Sequence, residues 1–447
     1  MFPRAYLALA VVIAASAAPM AEGSFPEENP MYYCHTDMSW GEIPKRIDNP
    51  CAKPKKVMVF GRHGARVLTR DLKCWEGDDT EYMCPVATYY GFINSPSEGT
   101  GPGWTRLAGK RMMLKGNCTY GQVVEPGIQQ HFLNGQELRK AYAEPLRLGE
   151  APLEPKVMFR STEFTRTIHS AQALAMGLFP NVHKYGPDKL NIVINDLDVD
   201  SMTPKPRVCP RLGNSLEDFL KSPEAINRTD STRIERQFIG LTSGRYNEFN
   251  TNDPTKMDGL YSGMLDCLMS HICSTVPSTS RTVPYGLGEG SYLLKSISDD
   301  ATYWDLLQYN SSAETRRLAF GPLIQDVLED LDLRERRLSV YIGHDTGPTS
   351  VFTSALDLTW LDSRHKCANY WPPFATMLIL EVYDDRQVRW LYNGRVASVD
   401  AIDECRGKET CSFDSMYEYL ARMIPSEAEC NGPPVLGHGH LRSSSTN

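Results

Sequence analysis

Long apolar runs are nearly missing from this chain of 447 residues. The one strongly apolar stretch, residues 7–18, is shorter than the roughly 20 residues that cross a bilayer as a helix, so no stable membrane span is expected. Excess positive charge is missing as well. Against 55 acidic residues stand 47 basic ones, for a formal net charge of −8, which argues against nucleic acid as a partner. There is no internal repeat, and the composition excludes collagen, coiled coil and wholesale disorder. Short zinc-knuckle spacings are lacking: Cys267-x5-Cys273 and Cys405-x5-Cys411 are too wide and have no nearby His pair. What remains is ordinary globular material, 41% hydrophobic and 23% charged, long enough to bury a full core as one large domain or two small ones. A mildly acidic chain is still free to carry a local basic pocket for an anion.

Arg4 precedes the apolar stretch and Ala15, Ser16, Ala17 and Ala18 close it, the layout of a secretory signal peptide over residues 1–21. Twelve cysteines, an even number behind such a segment, read as disulfides whose pairing the sequence leaves open. Asn117-Cys-Thr, Asn227-Arg-Thr and Asn310-Ser-Ser are glycosylation sequons. These features predict a secreted or lumenal protein, with no readable signal that separates lysosome from Golgi. Residues 432–447, rich in Gly, Pro and Ser, are expected to form a flexible tail.

Between them, residues 22–431 alternate strand-like and helix-like stretches. Strands are predicted at 56–60, 157–159, 191–194 and 338–343, and helices at 127–148, 163–178 and 317–334. Residues 377–383 and 388–392, split by Asp384-Asp385-Arg386, carry a hairpin signal. The pattern predicts an α/β fold: a three-layer sandwich with a mainly parallel central sheet flanked by helices. Residues of about 200–315, rich in Pro, Ser, Thr and charge, read as a smaller helical cap inserted into it.

The sharpest segment is Phe60-Gly61-Arg62-His63-Gly64-Ala65-Arg66, directly after a predicted strand. Two guanidinium forks flank one imidazole, a spacing that clamps a phosphate from both sides. The same cations disfavour protonation of His63, and a neutral imidazole is a nucleophile. Strand 157–159 runs into Arg160, and strand 338–343 into His344-Asp345. Ligands of parallel sheets bind beyond the carboxyl ends of strands, so the three strand ends are expected to meet in one pocket. Together they supply a phosphate-binding set with a nucleophile and a proton donor. The bland alternative for each member is a basic turn or a solvated helix end. Their joint placement at strand ends favours function.

Arg62-His63-Gly64-x-Arg66 resembles the signature of the histidine phosphatase superfamily. The string from Phe159-Arg160-Ser161-Thr162-Glu163 through Arg166-Thr167 to Pro180 resembles its histidine acid phosphatase branch, as does Gly343-His344-Asp345-Thr346. The likeness runs over residues of about 34–424. It implies that His63 attacks phosphorus to form a phosphohistidine. Arg62, Arg66, Arg160 and His344 would bind the phosphoryl group, and Asp345 would protonate the departing alcohol. It implies no metal and no organic cofactor, a small-molecule phosphate monoester as substrate, an acidic working pH and, by family habit, a homodimer. Leu68 stands where the family often has Pro, a departure that touches loop shape rather than phosphate.

A finer similarity, over residues 121–139 and around Met264-Leu265-Asp266-Cys267 and Tyr392-Asn393-Gly394, is to the phosphoxylose phosphatase-like subgroup. That likeness makes a phosphorylated sugar the narrower substrate reading, although Arg160 suits the general acid phosphatases better. Rival functions are a catalytically inactive secreted binding protein, against which all six pocket residues argue, and a phosphomutase, against which export and the His-Asp pair argue. A phytase is a further option, but no basic substrate pocket for it can be located in the sequence. His131 and His169 read as helix histidines of the core or surface, Arg166 as support for the pocket, and His438-Gly-His440 as part of the tail.

Overall fold

The structure is a computed structural model. It describes residues 32–34, 43–82, 84, 113–150, 155–180, 191–274, 283–288 and 291–432. The expected signal peptide, nearly all of the expected tail and His438-Gly-His440 lie outside the described residues.

The strands are β1 (Pro54–Arg62), β2 (Val157–Ser161), β3 (Ile192–Ile194), β4 (Leu338–Gly343), β5 (Leu358–Trp360), β6 (Met377–Tyr383), β7 (Gln387–Tyr392), β8 (Arg395–Val399) and β9 (Cys411–Ser412). They form one sheet in the order β3-β2-β4-β1-β6-β7-β8-β5, with β9 on β7. β3, β2, β4 and β1 are all parallel, whereas β6, β7, β8 and β5 continue the sheet antiparallel. The parallel part carries the site.

Strand alternation makes the layers. Val57 and Val59 of β1 point to one face with Val340 and Ile342 of β4, under α1 (Glu125–Tyr142) and α2 (Thr165–Leu178). Met58 and Phe60 point to the other with Tyr341. That face is covered by the long helix Ala313–Asp332 and the helices Pro348–Ala355 and Phe413–Ala421. The result is an α/β sandwich of three layers.

The regular elements among the described residues of 211–310 are all helical: α3 (Arg211–Leu220), α4 (Pro223–Ser231), α5 (Arg233–Ser243), α6 (Tyr246–Phe249), α7 (Leu260–Cys273), α8 (Tyr292–Asp305) and two short 3-10 turns. The remaining helices are then α9 (Ala313–Asp332), α10 (Pro348–Ala355), α11 (Phe413–Ala421) and α12 (Glu427–Cys430). The cap has its own apolar core, with Tyr261, Leu265, Ile297 and Trp304, which also takes in Ala65, Val67 and Leu68 from beyond β1.

Disulfides fasten the cap to the segments around it: Cys34–Cys273, Cys74–Cys267 and Cys209–Cys430. Cys84–Cys118 and Cys405–Cys411 close smaller loops. The expectation that all twelve cysteines pair needs correction, because Cys51 is exposed and free and Cys367 is free and buried. Of the sequons, Asn227 is exposed on α4, whereas the Asn117 amide is bonded to the Cys84 backbone. Among the described residues no helix is long and apolar enough to cross a membrane.

Candidate active site

Parallel pairing of β1 with β4 sets Arg62 beside Gly343, so the segments leaving both strands emerge together. The His63 amide donates to the Gly343 carbonyl, and that of Arg62 to Thr376. The loop beyond β1 then runs against the start of α1. Gly64 and Gly127 touch backbone to backbone, and a Cβ on either would collide with the other segment. The approach is locked from α1 and α2. Gln130 Oε1 accepts from the Ala65 amide at 3.0 Å, Ser170 Oγ from the Gly64 amide at 3.0 Å, and His131 Nε2 donates to the Arg62 carbonyl at 2.9 Å. Burial pulls His131 down to about 4, so it serves as a neutral core histidine with one structural bond.

His63 is almost wholly buried. Its Nδ1–H donates to the Gly64 carbonyl at 2.9 Å, which leaves the lone pair on Nε2. Burial, then the guanidiniums of Arg66, Arg166 and Arg62, hold it well below the ordinary imidazole value. Arg62 lies over the Phe374 ring at 4.3 Å, donates to the Pro372 carbonyl and pairs with Asp345 at 2.8 Å. Arg66 pairs with Asp266 of α7 at 2.5 Å, and Asp266 also accepts from Thr69. His344 stands edge-on to His63, ring centroids 5.6 Å apart. Burial and the same arginines keep it neutral.

Arg160 and Arg166 exchange the places expected of them. Period-two alternation turns Arg160 to the α9 face of β2. There it binds Asp326 at 2.6 Å, Ser201 at 2.9 Å and Asp200 at 3.3 Å, away from His63. Arg166, in the first turn of α2, reaches back over the strand ends. Its Nη2 donates to His344 Nδ1 at 3.3 Å, and its guanidinium lies over Phe164 at 4.4 Å. Burial, then the charge of Arg66, pulls Arg166 down to about 9. With Nδ1 accepting, His344 Nε2–H donates to Thr162 Oγ1 at 3.0 Å, so both of its ring nitrogens are engaged within the protein.

The structure thus brings Arg62, His63, Arg66, His344, Asp345 and Arg166 together and sets Arg160 apart. Nε of Arg62, of Arg66 and of Arg166 is buried and has no protein partner. The charges of three guanidiniums bear on one neutral imidazole, a set matched to a tetrahedral oxyanion. Sequence reasoning did not assign Phe164, Asp266 or Phe374 to the site; Asp266 stood only in the segment that resembles the phosphoxylose phosphatase-like subgroup, with no role given to it, and the packing of α7 and of the segment before β6 brings the last two in. The one cluster with metal-ligand spacing among the described residues, Cys74, Asp78 and His271, is spoken for: Cys74 is in a disulfide, and His271 donates to the Cys267 carbonyl.

Arg62, Arg66, Asp266, Asp305 and Asp345 line a cleft of about 290 Å³ between the sheet and the cap.

Comparison with known proteins agrees with this fold. The family model of the histidine phosphatase superfamily (branch 2) matches residues 55–393. Counting factor 60 of Dictyostelium discoideum is 25% identical over 338 residues, 71% of this chain and 73% of its own length. Lysophosphatidic acid phosphatase type 6 of Bos taurus is 26% identical over 428 residues, 88% of this chain and 90% of its own. Prostatic acid phosphatase of Mus musculus is 25% identical over 280 residues, 60% and 67% respectively. Among solved structures, Hafnia alvei phytase in complex with tartrate superposes with a TM-score of 0.55 at 14% identity, covering 85% of this chain and 99% of the other.

Proposed function

The chain belongs to the histidine phosphatase superfamily (branch 2) and is a phosphatase; from that premise we propose that it is a secreted or lumenal acid phosphatase that works through a phosphohistidine on His63. The observation that carries the reading is the His63 ring. Nδ1–H is pinned to Gly64, Nε2 is a free lone pair, and burial, then three arginines, keep the ring neutral.

Arg62, Arg66 and Arg166 bind the phosphoryl oxygens, stabilising the charge that spreads over those oxygens in transfer. Nε2 of His63 forms the bond to phosphorus as the bond to the ester oxygen breaks. Asp345 gives that oxygen its proton. Phosphate competes with Asp345 for Arg62, which frees the carboxyl to turn to the departing oxygen. Water then cleaves the phosphohistidine and regenerates the imidazole. His344 acts on Arg166 as a positioning residue, a role its two engaged nitrogens support better than direct contact with phosphate.

The test is turnover of an aryl phosphate from pH 4 to 8 in the presence of EDTA, with His63→Ala and Asp345→Asn alongside. Acid-side turnover that survives EDTA and is lost with His63 meets the proposal; undiminished turnover by His63→Ala refutes it. Of the relatives at about a quarter identity, one is named for lysophosphatidic acid and another for no substrate, and fold alone carries no substrate.

A further inference from the structure

Behind the His344–Arg166 contact stand two buried hydroxyls that have no part in phosphoryl transfer as derived above. Thr162 Oγ1 lies 3.0 Å from His344 Nε2 and 2.9 Å from Thr167 Oγ1. Thr167 Oγ1 donates to the Phe164 carbonyl at 2.7 Å, with the Thr162 carbonyl at 3.0 Å. Thr162 is 2% exposed and Thr167 0%, so both hydroxyls answer to protein groups. Donor and acceptor counting gives the chain a direction. A guanidinium only donates, so Arg166 Nη2 leaves His344 Nδ1 to accept, at 3.3 Å. The neutral ring then carries its hydrogen on Nε2 and donates to Thr162 Oγ1. A hydroxyl has one hydrogen, so that of Thr162 goes on to Thr167 Oγ1, and that of Thr167 ends on a carbonyl. The reverse order would set Nδ1–H of His344 against an N–H of Arg166.

We propose that Thr162 and Thr167 are positioning residues: their hydroxyl pair holds His344 as the Nε2–H tautomer, and that tautomer holds the Arg166 guanidinium where phosphate binds. The proposal rests on the phosphatase reading and deepens it. Arg166, Phe164 and both threonines belong to the one segment that opens α2. His344, from beyond β4, is therefore gripped at both ring nitrogens by a single turn of chain. Its ring also stands edge-on to Phe164, centroids 4.9 Å apart, and Arg166 lies over that same phenyl ring. This packing restrains the tilt of the imidazole, and the hydroxyls decide which nitrogen holds the hydrogen. Thr167 acts on Arg166 through three hydrogen bonds in series. In Thr167→Val the Thr162 hydroxyl is free to turn its hydrogen to Nε2. That moves the ring hydrogen to Nδ1, donor against donor with Arg166. In Thr162→Val the buried Nε2–H loses its acceptor outright. Valine has nearly the shape of threonine, so each variant deletes chiefly the hydroxyl.

The experiment pairs kinetics with NMR of the imidazole nitrogens in the full-length protein carrying isotope-labelled histidine, His344 being assigned from its loss in His344→Gln. The wild type is expected to show His344 protonated on Nε2 alone, at pH 5 and pH 7, with and without inorganic phosphate. Thr162→Val and Thr167→Val should each lose at least about tenfold in kcat/KM for phenyl phosphate, since a small misplacement of an oriented group costs up to about 10²-fold. Inhibition by inorganic phosphate should weaken by a similar factor. In Thr167→Val the His344 hydrogen should move to Nδ1, a change that loss of packing alone would not produce. Thr162→Ser and Thr167→Ser, which keep the hydroxyl, should recover most of each loss. A wild-type His344 hydrogen on Nδ1 overturns the proposal without any variant having to fold. So does Thr167→Val with wild-type kcat/KM, or a loss that Thr167→Ser fails to recover. Absence of phenyl phosphate turnover by the wild type overturns the phosphatase reading itself, and the positioning role with it, whichever nitrogen holds the hydrogen.

Discussion

Arg160 and Arg166 give a paired prediction in which each variant is the other's control. Arg166→Ala removes a buried guanidinium crowded by Arg66 and Arg62, its pKa already drawn down to about 9. The folded protein holds that cation at an electrostatic disadvantage, so its loss should leave Tm unchanged or slightly higher. Activity should respond strongly, because deleting one preorganised oxyanion donor costs on the order of 10²–10³ in kcat. Arg160→Ala does the reverse. It strands Asp200, whose side chain is 1% exposed, and Asp326, which is 34% exposed. Breaking a buried pair costs about 3–5 kcal/mol, and the exposure of Asp326 places this one near about 3 kcal/mol. For a domain of this size that is a fall in Tm of roughly 3–4 °C, with kcat/KM close to wild type. Thermal melts with and without inorganic phosphate add a direct reading. Phosphate should raise Tm in the wild type and Arg160→Ala, and much less in Arg166→Ala. Loss of turnover in Arg160→Ala with Tm intact would refute the assignment, as would a fully active Arg166→Ala.

Other outcomes follow from the same geometry. Losing the nucleophile in His63→Ala should cost at least about three orders of magnitude in kcat with the fold retained, read by aryl phosphate turnover and circular dichroism. Gly127→Ala sets a methyl group against the Ala65 backbone where α1 crosses the loop beyond β1, and should destabilise by about 1–3 kcal/mol or more in urea titrations. Burial lowers His169 from 6.5 to about 4. Its folded pKa lies below its unfolded one, so the unfolded chain takes up the proton first as pH falls. The stability contributed by the neutral ring is complete above about pH 6.5 and is lost progressively towards about pH 4, by at most about 1.4 kcal/mol per pH unit. His169→Gln should flatten that limb in urea midpoints taken at pH 7, 5.5 and 4.5.

The strands that carry the site were legible because their signals are local. Residues 338–343 are apolar and bounded by charge and Gly, and β4 spans that stretch. The hairpin around Asp384-Asp385-Arg386 appears as β6 and β7, with Arg386 in the left-handed region. Arg62, His63, Arg66, His344 and Asp345 are adjacent to strand ends, and parallel pairing alone brings them near one another. Arg160 was misplaced because proximity to a strand end says nothing about which face its side chain takes. Parity along β2, read from buried Val157 and Phe159 under α1 and α2, points Arg160 to the opposite layer. Arg166 needs one turn of helix to fold back, a tertiary step that no spacing in the sequence encodes. The places of Asp266 and Asp305 were illegible for a similar reason. They belong to the cap, whose docking against the sheet is set by apolar packing and by the Cys34–Cys273 and Cys74–Cys267 bridges rather than by any motif.

The central claim is covalent, and trapping tests it most directly. Wild-type protein is mixed with an aryl phosphate, quenched in base within milliseconds, where phosphohistidine survives, and its peptides are mapped by mass spectrometry. The account predicts one phosphoryl group on Nε2 of His63, formed in a burst with release of the phenol and absent from His63→Ala. Turnover with no phosphorylated peptide, or a phosphoryl group on any other residue, would contradict it.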